Sequence, residues 1–121
     1  GLAFKPGTDD LREAPSIDNI ALLLKNGADI VAYDPVAMNN FKKKFPKGVV
    51  ERGTISYTNQ IEEALKDANI CFIFTEWKEI KKVEPEAIKQ LMRTPLVYDG
   101  RNIFDPEKMK AAGVEYYSIG R

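Results

Sequence analysis

Short apolar, β-branched runs recur along this chain, and the segments between them carry apolar residues at helical spacing; that alternation is the pattern of a parallel α/β sheet. The runs are Leu2 to Phe4, Asp29 to Tyr33, a weaker Ile55 to Thr58, Ile70 to Thr75, Leu96 to Tyr98, and Val114 to Ser118. The Ile70-Cys71-Phe72-Ile73-Phe74 run is continuously apolar, as a strand covered on both faces should be. Six strands joined by right-handed crossovers through helices predict a Rossmann-like doubly wound parallel sheet of three α/β/α layers. Its first strand is truncated: Gly1-Leu2-Ala3-Phe4 reads as the end of an apolar strand, and Gly1 is not a Met. A fragment of a longer protein is therefore expected, whose exposed central strand either tolerates the shortening or drives self-association.

Proline marks the helices, because its absent N–H costs nothing in a first turn; Pro15, Pro85 and Pro106 all suit that place. After Pro15, the residues Ile17, Ile20, Ala21 and Leu24 form one apolar face, and Asn26-Gly27 supplies a left-handed stop. Further helices are expected over Val36 to Phe45, from Asn59 as an N-cap with Ile61, Ala64 and Leu65 inward, over Pro85 to Met92, and over Pro106 to Ala112 before Gly113. No linker or repeat divides the 121 residues, so a single domain over 1–121 is expected.

Charge and composition narrow the function. Lys and Arg number 18 against 18 Asp and Glu, which leaves no net field for nucleic acid or an acidic membrane. No apolar run approaches the roughly 18 to 20 residues of a membrane span and no basic-then-apolar leader is present, so a cytoplasmic location is expected. With no His and one Cys, histidine triads, zinc sites and intrachain disulfides are excluded, and no metal site is expected. Cys71, inside an apolar run and away from cations, reads as core filler rather than a nucleophile. A hydrolase has no base-activated Ser or Cys to work with.

Chemistry in a doubly wound sheet collects beyond the strand carboxyl ends. After the first run comes Lys5-Pro6-Gly7-Thr8-Asp9-Asp10-Leu11-Arg12-Glu13, which lacks the Gly-x-Gly-x-x-Gly spacing of a pyrophosphate cradle but offers Lys5 as a point charge and Arg12 as a fork for oxyanions. Both cations could equally pair with Asp9, Asp10 or Glu13 on the surface. Asp99-Gly100-Arg101-Asn102 follows the fifth run and fits a ligand crevice, though Asp-Gly is also ordinary turn chemistry. Trp77 reads as a packing anchor, Asp34 as a helix-leading acid, and Lys42, Lys43, Lys44 and Lys47 as solvated surface.

The run from Gly1 to Ser16, with Ala32-Tyr33-Asp34-Pro35, Thr75-Glu76-Trp77, Tyr98-Asp99-Gly100-Arg101-Asn102 and Tyr117-Ser118-Ile119-Gly120-Arg121, resembles the C-terminal domain of the UDP-glucose 6-dehydrogenase family. The resemblance implies a nucleotide-sugar-binding domain of an enzyme that oxidises a sugar C6 alcohol twice with NAD, through a thioester on a cysteine outside this chain. By motif, Phe4 and Lys5 would contact the nucleotide-sugar, Arg101 would contact the sugar in a neighbouring subunit's site, and Arg12 would reach NAD held mainly by an N-terminal domain, while no catalytic residue lies here. The implied partners are UDP-glucose, the enzyme's N-terminal and central domains, and further subunits of a homodimer or larger assembly. Related enzymes act on GDP-mannose or UDP-N-acetylmannosamine and share much of the first loop. A non-catalytic interaction module, in which the same loops contact another protein, is the competing expectation.

Overall fold

A computed structural model describes residues 1–120. In chain order the elements are α1 (Pro15–Lys25), β1 (Asp29–Ala32), α2 (Met38–Lys44), β2 (Gly48–Val50), β3 (Gly53–Tyr57), α3 (Ile61–Leu65), β4 (Cys71–Ile73), α4 (Lys78–Lys81), α5 (Pro85–Leu91), β5 (Leu96–Asp99), α6 (Pro106–Ala111) and β6 (Glu115–Ser118). Pro15, Pro85 and Pro106 each stand in a helix first turn, and Gly27 and Gly113 take φ of +87° and +85° just past α1 and α6. The mixed α/β architecture with parallel strands is thus the one the alternation implies.

The strands form two sheets rather than one: β1-β3-β2 and β4-β5-β6. β1 runs parallel to β3 with Ile30 opposite Ile55, and β4, β5 and β6 are mutually parallel with Val97 between Cys71 and Tyr116. The expected strand at Leu2 to Phe4 does not form. Its backbone groups are taken by side chains instead: Leu2 and Ala3 N–H donate to Asp34 Oδ2 at 2.8 and 3.0 Å, and their carbonyls accept from Ser16 Oγ and Thr75 Oγ1. Two elements escaped the sequence pattern. The hairpin strand β2 pairs antiparallel with β3 across Glu51-Arg52, and α4 is a single turn after Trp77. The residue N-terminal to α3 is Gln60 rather than Asn59, and its side chain makes no capping bond. Residues 35–37 form a lead-in to α2, where helix was expected from Val36.

The core runs through both sheets, with Leu24 of α1, Phe41 of α2, Ile55, Val97 and Met109 of α6 at 0–1% exposure. In α1 the inward face is Ser16, Ile20 and Leu24, while Ala21 faces solvent, because the helix turns Ser16 in to serve the Leu2 carbonyl. Phe41 meets the rings of Phe45 and Tyr57 at 5.2 and 6.4 Å and thereby fixes α2 on β3. Lys42, Lys43, Lys44 and Lys47 are all exposed, as their spacing beside Phe41 and Phe45 implies.

Candidate functional site

Both sheets present their carboxyl ends at one edge, and Leu2-Ala3 joins them there. Asp34 stands two residues past β1 and Thr75 two residues past β4, and each grips this dipeptide. Asp34 is fully buried and accepts five bonds, from Leu2, Ala3 and the Trp77 indole at Oδ2 and from Val36 and Ala37 N–H at Oδ1. Burial pushes its carboxyl up, but the amides of Ala3, Ala37, Leu2 and Val36 outweigh that and hold it below the usual carboxylate range. The helix-leading role expected of Asp34 is its Oδ1 half. The Oδ2 half, which orders the first loop, has no local sequence signal. Trp77 is the packing anchor expected, and its N–H completes the same knot.

From this knot the chain emerges as Phe4-Lys5. The Phe4 backbone is fully engaged: its N–H donates to the Asp10 carbonyl at 2.9 Å and its carbonyl accepts from Arg101 Nη2 at 2.7 Å. Phe4 is 39% exposed, and Lys5 is exposed with no bonded partner among the described residues. Arg101 also donates from Nε to the Phe74 carbonyl at 2.8 Å, and its Nη1 lies 3.9 Å from Glu76. One guanidinium therefore ties the first loop to the end of β4 while leaving N–H groups free for an oxyanion. Asp99 sets the Arg101 turn, accepting from the N–H of Arg101, Ile103 and Phe104 and from the Tyr116 hydroxyl. Asn102 takes φ of +56°, a left-handed value that Asn tolerates, so the turn can fold back.

Arg12 sits apart from that pair. Its guanidinium chelates Asp10 through Nε and Nη2, at 3.1 and 2.8 Å to the two oxygens, in an open hollow lined by Thr8, Glu13, Asn40, Lys43 and Lys44. Arg12 hydrogen-bonds hold Asp10 down at about 2, and Asp10 in turn raises Arg12. The surface ion pair left open by the sequence is the arrangement found for Arg12, whereas Lys5 makes no ion pair or hydrogen bond among the described residues and acts on Asp10 only through its charge. Phe4, Lys5 and Arg101 are brought together; Arg12 is joined to them through the Asp10 carbonyl. Arg121, in the last motif, lies outside the described residues.

Cys71 is partly buried in β4, and burial pushes its thiol up to about 11, so it is no thiolate nucleophile. No cluster of metal-ligating side chains exists among the described residues. No helix among them is long and apolar enough to cross a membrane.

An α/β chain of parallel strands that sets Phe4, Lys5 and Arg101 beyond the strand carboxyl ends has the layout of the Rossmann-like class, in which ligands sit at that edge. The chain belongs to the UDP-glucose/GDP-mannose dehydrogenase family, as a UDP binding domain, whose family model matches residues 1–106. It is 46% identical over 121 residues to UDP-glucose 6-dehydrogenase YwqF of Bacillus subtilis, covering all of this chain and 26% of that protein. To the UDP-glucose 6-dehydrogenase of Pseudomonas aeruginosa it is 40% identical over 121 residues, again covering 100% and 26%. The crystal structure of an NDP-N-acetyl-D-galactosaminuronic acid dehydrogenase from Methanosarcina mazei superimposes with a TM-score of 0.78 at 25% identity, over 100% of this chain and 23% of that one. The chain thus spans about a quarter of the length of these relatives.

Proposed function

We propose that this chain is the nucleotide-sugar-binding domain, residues 1–121, of a cytoplasmic NAD-dependent UDP-glucose 6-dehydrogenase, which converts UDP-glucose and two NAD⁺ to UDP-glucuronate and two NADH. The observation that carries the reading is the convergence of Phe4, unpaired Lys5 and Arg101 at the strand carboxyl ends of a chain in this family. Lys5 Nζ neutralises the diphosphate and the free N–H groups of Arg101 bond the sugar, each charge-assisted bond contributing roughly 1.5 to 3 kcal/mol. The exposed Phe4 ring supplies an apolar face for the ligand. Because Asp34, Ser16 and Thr75 hold Leu2-Ala3 from three sides, Phe4 and Lys5 are fixed before ligand arrives, and less ordering entropy is lost on binding.

NAD accepts hydride in each oxidation when bound. The donor set here fits only one edge of it: there is no glycine cradle, and Arg12 is an exposed fork whose present partner, Asp10, a phosphate would have to displace. NAD is accordingly held mainly by the rest of a longer enzyme, as are the nucleophile and the subunit contacts. This chain contributes binding, orientation and charge.

Calorimetric titration of the folded chain with UDP-glucose, UDP, GDP and NAD⁺ tests the reading. Uridine ligands bind and NAD⁺ does not; Lys5→Ala and Arg101→Ala each weaken UDP binding about 10- to 100-fold, while Lys108→Ala on the solvent face of α6 leaves it unchanged. Preference for GDP shifts the substrate to a GDP-sugar. A folded chain indifferent to all four ligands favours the interaction-module reading.

A further inference from the structure

Arg101 and Lys5 share the binding edge but differ in the company they keep. Two N–H groups of Arg101, on Nε and Nη2, donate to the peptide carbonyls of Phe74 and Phe4. Those carbonyls are neutral, so they fix the guanidinium and leave its charge intact. The charge is answered by Glu76, whose Oε2 lies 3.9 Å from Nη1, too far for a hydrogen bond and close enough for Coulomb attraction. No other carboxylate among the described residues comes within salt-bridge distance of this guanidinium. Asp99, two residues earlier, is taken up by the N–H of Arg101, Ile103 and Phe104 and by the Tyr116 hydroxyl.

Glu76 is held in place from both sides. Thr75 Oγ1 donates to the Ala3 carbonyl and Trp77 Nε1 to Asp34, and both flanking residues are buried. The Glu76 and Arg101 side chains are 31% and 27% exposed, so solvent screens the pair only in part. The N–H groups on Nη1 keep their capacity to donate. Across the edge, Arg101 and Glu76 cancel and Lys5 retains its charge, one residue beyond the carbonyl that Arg101 holds. The edge thus has a cationic end at Lys5 and, at Arg101, an end rich in donors with little net charge. A nucleotide-sugar has the matching ends, a diphosphate and an uncharged polyol.

We propose that Glu76 is the positioning residue that sets the sugar specificity of this site: by holding and neutralising Arg101 it offers N–H donors to uncharged hydroxyls and turns away a second anionic group, so a neutral hexose is preferred over its uronate. The inference rests on the nucleotide-sugar reading and adds to it the class of sugar. An uncompensated arginine is a fork for any carboxylate, whereas beside Glu76 a ligand carboxylate also meets a like charge, which is how a site rejects a close competitor. Oxidation of the C6 alcohol creates that very charge, so the pair favours substrate over product.

The test is calorimetric titration of the folded chain with UDP, UDP-glucose and UDP-glucuronate. Wild type is expected to prefer UDP-glucose to UDP-glucuronate, and added sodium chloride narrows the gap, a readout that needs no variant. Glu76→Gln tightens UDP-glucuronate about tenfold and moves UDP and UDP-glucose less than about threefold. Glu76→Asp restores the wild-type ratio, and Glu51→Gln, on the exposed turn between β2 and β3 at the opposite strand ends, leaves it unchanged. A residue with a purely structural part would instead weaken all three ligands together, and that result overturns the proposal. An unmoved ratio in Glu76→Gln, or a wild-type preference for UDP-glucuronate, overturns it while leaving the nucleotide-sugar reading standing. A folded wild type that binds none of the three overturns that reading and this inference with it.

Discussion

Asp34 is the residue on which the first loop depends, because five donors converge on two oxygens of a side chain wholly buried from solvent. Asn is nearly isosteric but turns one oxygen into an NH₂ group, which meets N–H donors rather than acceptors. Asp34→Asn is therefore expected to cost about 2 to 4 kcal/mol in urea unfolding at pH 7, with the loss of UDP binding following from a disordered Phe4-Lys5. The acid dependence has a definite sign. Since the folded carboxyl lies below the ordinary aspartate value of 3.8, its contribution is present above that value and is lost as pH falls further through the folded one. A wild-type acid slope steeper than that of Asp34→Asn below pH 4 checks it; parallel slopes would show that Asp34 is not the group responsible. The sequence gives Asp34 a local part to play, ahead of α2, and that part is present. Its larger role joins residues 31 and 32 positions away, a separation no periodicity or spacing rule reaches.

At the scale of elements, what the sequence made legible was whatever a few neighbouring residues decide. Prolines opened α1, α5 and α6, and Asp105 adds a side-chain cap to the last by accepting from Glu107 N–H. The apolar runs located β1, β3, β4, β5 and β6 to within two residues. Elements set by tertiary pairing were not legible: β2 contains Gly48 and two valines, too short a run to read, and exists because β3 gives it an edge. The start of β3 shows how closely these pieces meet. A Cβ on Gly53 would stand 2.4 Å from the Ala28 carbonyl and 3.0 Å from the Leu24 backbone, so α1 and the β1 entry would have to move. Gly53→Ala is expected to lower stability by about 3 kcal/mol, at the severe end for a single methyl, because backbone rather than flexible side chain must yield. Gly7→Ala provides the contrast: it has open space and φ of +82°, so only the left-handed strain of about 1 kcal/mol applies. Thermal melts of both variants decide whether close packing or conformational freedom sets the cost.

In the 121-residue chain with a free amine at Gly1, the junction that assembles the binding edge also carries a charge. The Gly1 amine lies where the two sheets meet, and burial lowers its pKa from 8.0 to about 6, with Asp34 and Cys71 pulling it partly back. A base depressed in the folded state binds fewer protons there than in the unfolded chain between those two values. Stability of the 121-residue chain therefore rises with pH across the window from about 6 to 8, and falls as acid charges the buried amine, by up to about 2 to 3 kcal/mol. With no His in the chain, no side chain of ordinary pKa competes for that window. The comparison that isolates the effect is with the same chain acetylated at Gly1, which has nothing to titrate there. Urea midpoints at pH 6 and pH 8 are expected to differ for the free amine and to coincide for the acetylated chain. A difference that survives acetylation would move the titration elsewhere and leave the junction between the sheets without its electrostatic cost.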